Sequence, residues 1–153
     1  MSLSAPDFRA LPRHDQVALG VGVLVFLASF LPWYGVTILG VSTSYTAWHA
    51  GLTAFGLILL LLATATTAAE LFAKDALPEL PVGNQVVEAG LAGVGALLVV
   101  IKSLDLPSGS GLGVDVGLRW GGWILILATV AQAGISVLRA VHANDGAGGV
   151  GPV

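Results

Sequence analysis

The chain has 153 residues, of which 56% are apolar and only 10% charged, and its mean hydropathy is +0.90. Soluble domains carry about 25% charge; here the 54 consecutive residues 16–69 hold no Asp, Glu, Lys or Arg. Such a chain cannot cover a water-soluble fold with polar groups. The composition points to an integral membrane protein and argues against a soluble enzyme, a secreted disulfide scaffold or a disordered chain. Net charge is −3, from six basic and nine acidic residues. No clustered basic face suggests nucleic acid as a partner, and no polybasic run suggests anionic lipid. Cysteine is absent, which excludes disulfides, thiol catalysis and cysteine metal sites.

In chain order, residues 1–15 read as a short cytoplasmic tail. Arg9 and Arg13 ahead of an apolar run also fit a signal peptide, but bulky Phe30-Leu31-Pro32-Trp33 stands where a small-residue cleavage site would be needed. The first span covers 16–32, with Asp15 placed to cap it. Its length is about 25 Å, against a hydrocarbon core of about 30 Å. Pro32 and Gly35 end it. Val36 to Leu39, Gly40 and Val41 to Tyr45 permit a short hairpin. The second span covers 47–72, where Glu70 and Lys74 are spaced for an i,i+4 pair. The third covers 82–101, carries Asn84, Gln85 and Glu88 in its first two turns, and is closed by Lys102. Ser103 to Gly117 read as a flexible Gly/Ser/Pro-rich connector. The fourth span covers 118–141, and the tail 142–153 is expected to be disordered.

The expected fold class is therefore all-α, a four-helix transmembrane bundle occupying residues 16–141. Orientation follows from Lys and Arg near the helix ends. Arg9, Arg13, Lys74 and Arg139 fall on one side; Lys102 and Arg119 fall on the other. That asymmetry predicts both termini inside, in a multi-pass protein of the cytoplasmic membrane.

Under that topology the four tryptophans share the outer side. Trp33, Tyr34, Tyr45, Trp48, Trp120 and Trp123 serve either as interfacial anchors or as a contact surface for a partner or a lipid. Two polar residues lie inside spans. Glu88 is either an interfacial carboxylate reaching for headgroups, favoured by the helix dipole, or a carrier of a proton or cation. Gln132 suits an interhelical hydrogen bond or a substrate contact. His14 and His142 approach the inner face, but two histidines make a poor metal or haem site. No nucleophile triad or phosphate loop occurs. Close packing is expected at Ala18/Gly22, Ala89/Gly93, Ala92/Ala96 and Gly117/Gly121.

The stretches Phe30-Leu31-Pro32-Trp33-Tyr34, Ala47-Trp48-His49-Ala50 and Ile101-Lys102-Ser103-Leu104-Asp105-Leu106-Pro107 resemble a loose group of small four-helix membrane proteins of actinobacteria. The resemblance spans roughly Gln16 to Val141. It implies a cytoplasmic-membrane location and four helices, and it carries over no catalytic or ligand residue. The functional expectation is a non-enzymatic protein without cofactor or metal. It would act by association, as an accessory subunit of an envelope complex or as a homo-oligomer, with membrane lipid as its surroundings and no nucleic acid partner. The alternative is a small transporter, channel or lipid-handling protein using an intramembrane carboxylate.

Overall fold

Four α-helices carry most of the chain: α1 (Arg13–Ala28), α2 (Gly51–Phe72), α3 (Asn84–Leu104) and α4 (Trp120–Gly148). A computed structural model describes residues 8–78, 80–106 and 113–148. Three helices, α2, α3 and α4, are long and apolar enough to cross a membrane, which fits a multi-pass membrane protein. With 16 residues, α1 reaches only about 24 Å. The helices pack in cyclic order, α1 on α2, α2 on α3, α3 on α4 and α4 back on α1.

Large apolar side chains face outward, among them Leu27, Phe55, Leu62, Leu97, Leu127 and Val130. Small residues such as Ala63, Ala92, Ala96 and Ala128 are buried between the helices. This distribution suits lipid, which solvates Leu as well as a protein core does and leaves close backbone approach as the source of packing energy. α2 and α3 cross backbone against backbone at Gly56 and Gly95. A Cβ on Gly56 would lie 2.8 Å from the Gly95 carbonyl oxygen, and one on Gly95 would lie 2.7 Å from that of Gly56. The expected Ala89/Gly93 pair does not make this contact, since a Cβ on Gly93 would meet nothing within 4 Å.

The all-α expectation needs correction, because a three-stranded antiparallel sheet covers one end of the helices. Its strands are β1 (Pro32–Ile38), β2 (Val41–Thr46) and β3 (Val114–Leu118), in the order β2-β1-β3. β1 and β2 form a hairpin whose turn places Leu39 at φ 49° and Gly40 at φ 85°. Two positive φ values match the twist of paired strands. β3 lies in the segment read as a flexible connector. Five residues give little strand signal alone; pairing with β1, from Tyr34↔Leu118 to Ile38↔Val114, supplies their hydrogen bonds. The connector's first two residues, Ser103 and Leu104, belong to α3, and its residues 107–112 lie outside the described residues.

Both termini also differ from expectation. α1 begins at Arg13, with Pro12 in the capping position. Asp15 is therefore inside the first turn, not the cap, and it is buried. α4 continues to Gly148, through much of the segment expected to be disordered. The His14–His142 stack packs the start of this extension against α1. Residues 1–7 and 149–153 of the two expected tails lie outside the described residues.

Candidate functional site: a buried arginine shared by three carboxylates

Each helix turns one stripe of residues inward. On α1 it runs Asp15, Ala18, Gly22, Val25; on α2, Leu60, Ala63, Thr67; on α3, Glu88, Ala92, Gly95, Val99. On α4 the stripe is Leu125, Ala128, Gln132, Ser136, Arg139. Spacings of three and four residues keep such positions on one face. Away from the sheet, all four stripes bring ionisable side chains together: Asp15, Glu70, Glu88 and Arg139.

Arg139 is the hub. Its Nε donates to Asp15 Oδ1 at 2.9 Å and its Nη2 to Glu70 Oε2 at 3.3 Å. Its Nη1 donates to Glu88 Oε2 and, at 3.3 Å, to Thr67 Oγ1. Ser136 Oγ donates to the other Glu88 oxygen at 3.0 Å. Glu88 is 1% exposed, Arg139 7% and Asp15 8%. A guanidinium suits this role because its planar fork presents five N–H donors, whereas an ammonium is a single point of charge. Three carboxylates against one guanidinium leave a surplus of formal negative charge.

This cluster forms part of the wall of a cavity of about 610 Å³. Asp15, Glu70 and Arg139 line it, together with Asn84, Gln85, Leu71 and Leu77. Lys74, His14, His142 and Ala143 complete its lining, and Glu88 lies behind. The His14 and His142 rings stack with centroids 6.5 Å apart, and His14 Nε2 is 3.6 Å from Asp15 Oδ1. No group of three or more His, Asp or Glu among the described residues is arranged to hold a metal. Glu70 pairs with Arg139 instead of the expected Lys74, which lies in a short turn (Lys74–Ala76) beyond the end of α2.

The candidates read from sequence divide between the two ends. Glu88 is not an interfacial carboxylate reaching for headgroups; it is enclosed by protein, because Arg139 and Ser136 satisfy it from α4. Gln132 sits two turns above Arg139. It donates through Nε2 to the Leu60 carbonyl and to Thr64 Oγ1, both at 2.9 Å, and its buried Oε1 has no hydrogen-bond partner among the described residues.

The aromatic set lies at the sheet end but does not form one surface. Trp33 is 1% exposed and donates to Ser103 Oγ at 3.1 Å. Trp48 is half-buried and donates to Ser29 Oγ at 3.0 Å. Tyr34 and Tyr45 stack on each other across β1 and β2, with centroids 5.1 Å apart. Only Trp120 and Trp123 of the six are exposed, at 60% and 59%.

Asp15, Glu70 and Arg139 were not among the sequence candidates. Asp15 read as a cap, Glu70 as half of a surface pair and Arg139 as a topology marker. One signal was available. In the four-span topology each of these residues falls near the same end of its helix as Glu88 does. No protein-family model, curated protein or solved structure matches the chain.

Proposed function

We propose that this is a membrane protein of the cytoplasmic membrane, with four spans and both termini inside, that takes up a small cation or cationic solute through the cavity beside Arg139. The observation that carries the reading is the burial of three carboxylates around one guanidinium at the wall of that cavity. Ionisable groups within a membrane segment are costly and mark ion or solute pathways by default. With Glu88 behind the wall, Asp15, Glu70 and Glu88 outnumber Arg139 and Lys74 by one formal charge; that surplus attracts a cation, and Glu88 behind Arg139 is placed to exchange its partner when a cation arrives. We read the protein as binding or moving its ligand without converting it.

The test is flux in proteoliposomes. The full chain is reconstituted, and uptake of isotope-labelled sodium, rubidium (in place of potassium) and small amines is followed down imposed gradients. Flux above that of empty liposomes is expected, and Glu88→Gln should abolish it while the variant still elutes and unfolds as a folded protein. Equal flux from wild type and empty liposomes for every gradient sinks the proposal.

A second reading, association with a larger envelope partner or a second copy, is favoured by the exposure of Trp120 and Trp123 on one stripe with Leu127 and Val130. It predicts that Trp120→Ala with Trp123→Ala weakens a complex recovered in mild detergent, and that Glu88→Gln does not.

A further inference from the structure

At the sheet end, a second pocket of about 180 Å³ is lined by Gly35, Thr37, Asp115, Gly117, Leu118 and Arg119. Arg119 lies between β3 and α4, and its backbone N–H is fixed to the Trp33 carbonyl at 2.9 Å. Its guanidinium lies against β1 at Gly35. A Cβ there would be 2.1 Å from Nε and 2.6 Å from Nη2, so the guanidinium can occupy this place only because residue 35 is glycine. Gly117 opposite leaves open space, since a Cβ on it would meet nothing within 4 Å.

This guanidinium makes no hydrogen bond or ion pair with any described residue. Asp115 lines the same pocket, and among the described residues no ion pair joins its carboxylate to Arg119. Lys102, also at this end, differs in being held by Asp105 at 3.4 Å. A half-buried, positioned and unpaired guanidinium presents donors in the geometry that oxyanions accept two at a time. Beside the pocket, Trp120 and Trp123 project outward, as tryptophans do at headgroup depth.

We infer that the Arg119 pocket binds a phosphate oxyanion, supplied by the headgroup of a phospholipid. The inference is independent of the cavity at the other end; it needs only that α4 lies in a membrane. Gly35 makes the slot, Arg119 supplies the charge, and Trp120 and Trp123 sit against the lipid that carries the phosphate.

The experiment is native mass spectrometry of the full-length, delipidated protein in neutral detergent. It is titrated separately with phosphatidylglycerol, with diacylglycerol lacking phosphate, and with inorganic phosphate. Preferential retention of phosphatidylglycerol is expected. Arg119→Gln should weaken it about tenfold, the loss of roughly one charge-assisted hydrogen bond. Lys102→Gln removes a positive charge from the same end and should leave retention unchanged, which separates the pocket from general attraction. Gly35→Ala should mimic Arg119→Gln by displacing the guanidinium, and the unfolding midpoint of each variant reports whether its sheet survives. Equal retention by wild type and Arg119→Gln, or equal retention of diacylglycerol and phosphatidylglycerol, overturns the inference. Saturation by inorganic phosphate without lipid preference overturns the lipid source.

Discussion

Among the described residues, Arg139 is the one cation that touches Asp15, Glu70 and Glu88 together, and replacing it by Met removes that shared partner. Methionine fills much of the volume, so the cost is mainly electrostatic. Among the described residues, Glu88, 1% exposed, would keep the Ser136 hydroxyl alone, and Asp15, 8% exposed, would keep His14 alone, at 3.6 Å. Removing one partner from a buried ion pair costs about 3–5 kcal/mol, because the stranded charge stays desolvated. We expect Arg139→Met to lose stability in that range. Arg139→Lys keeps the charge but not the fork, and should lose about half as much. Adding Glu88→Gln to Arg139→Met removes the worst stranded charge. The double variant should therefore be less destabilised than the two single losses summed, by about 0.5–3 kcal/mol. The assay is equilibrium unfolding in mixed micelles, with increasing denaturing detergent, followed by circular dichroism. An Arg139→Met variant within about 1 kcal/mol of wild type, below the range for a stranded buried charge, would refute the reasoning.

Two further outcomes follow from the packing and the hairpin. Gly56→Ala and Gly95→Ala each drive a methyl into a facing backbone carbonyl at 2.8 or 2.7 Å, so either should cost about 1–3 kcal/mol in the same unfolding assay; Gly93→Ala, facing open space, should be neutral. Leu39 is 84% exposed and holds φ 49°, a conformation that Asn tolerates better than Leu. Leu39→Asn should therefore stabilise the hairpin by about 0.5–1 kcal/mol, from relieved backbone strain, and a lower unfolding midpoint would contradict the assigned turn.

The amino-acid sequence by itself determined the class of protein and the approximate extents of its long helices. The reason is that both depend on local sums. A charge-free run of 54 residues has the same meaning whatever it packs against, and apolar length sets what can cross a bilayer. The hairpin from β1 to β2 was legible for a similar reason, since Gly40 and its β-forming flanks are adjacent in the chain. β3 was not, because Val114–Leu118 becomes a strand only by pairing with β1, nearly eighty residues earlier. Tertiary structure alone decided the meaning of the charged residues. Asp15 and Arg139 are 124 positions apart, and nothing in the neighbourhood of either names the other. Glu88 looked interfacial because depth was counted along α3; its surroundings are set by α4, whose Ser136 and Arg139 enclose it. The aromatic residues show the same division. Composition placed them near one end of the helices, but strand alternation and the Ser103 and Ser29 hydroxyls turned Trp33 and Trp48 inward. Trp120 and Trp123 stayed outside because the packed face of α4 begins elsewhere, at Gly121, Gly122 and Leu125.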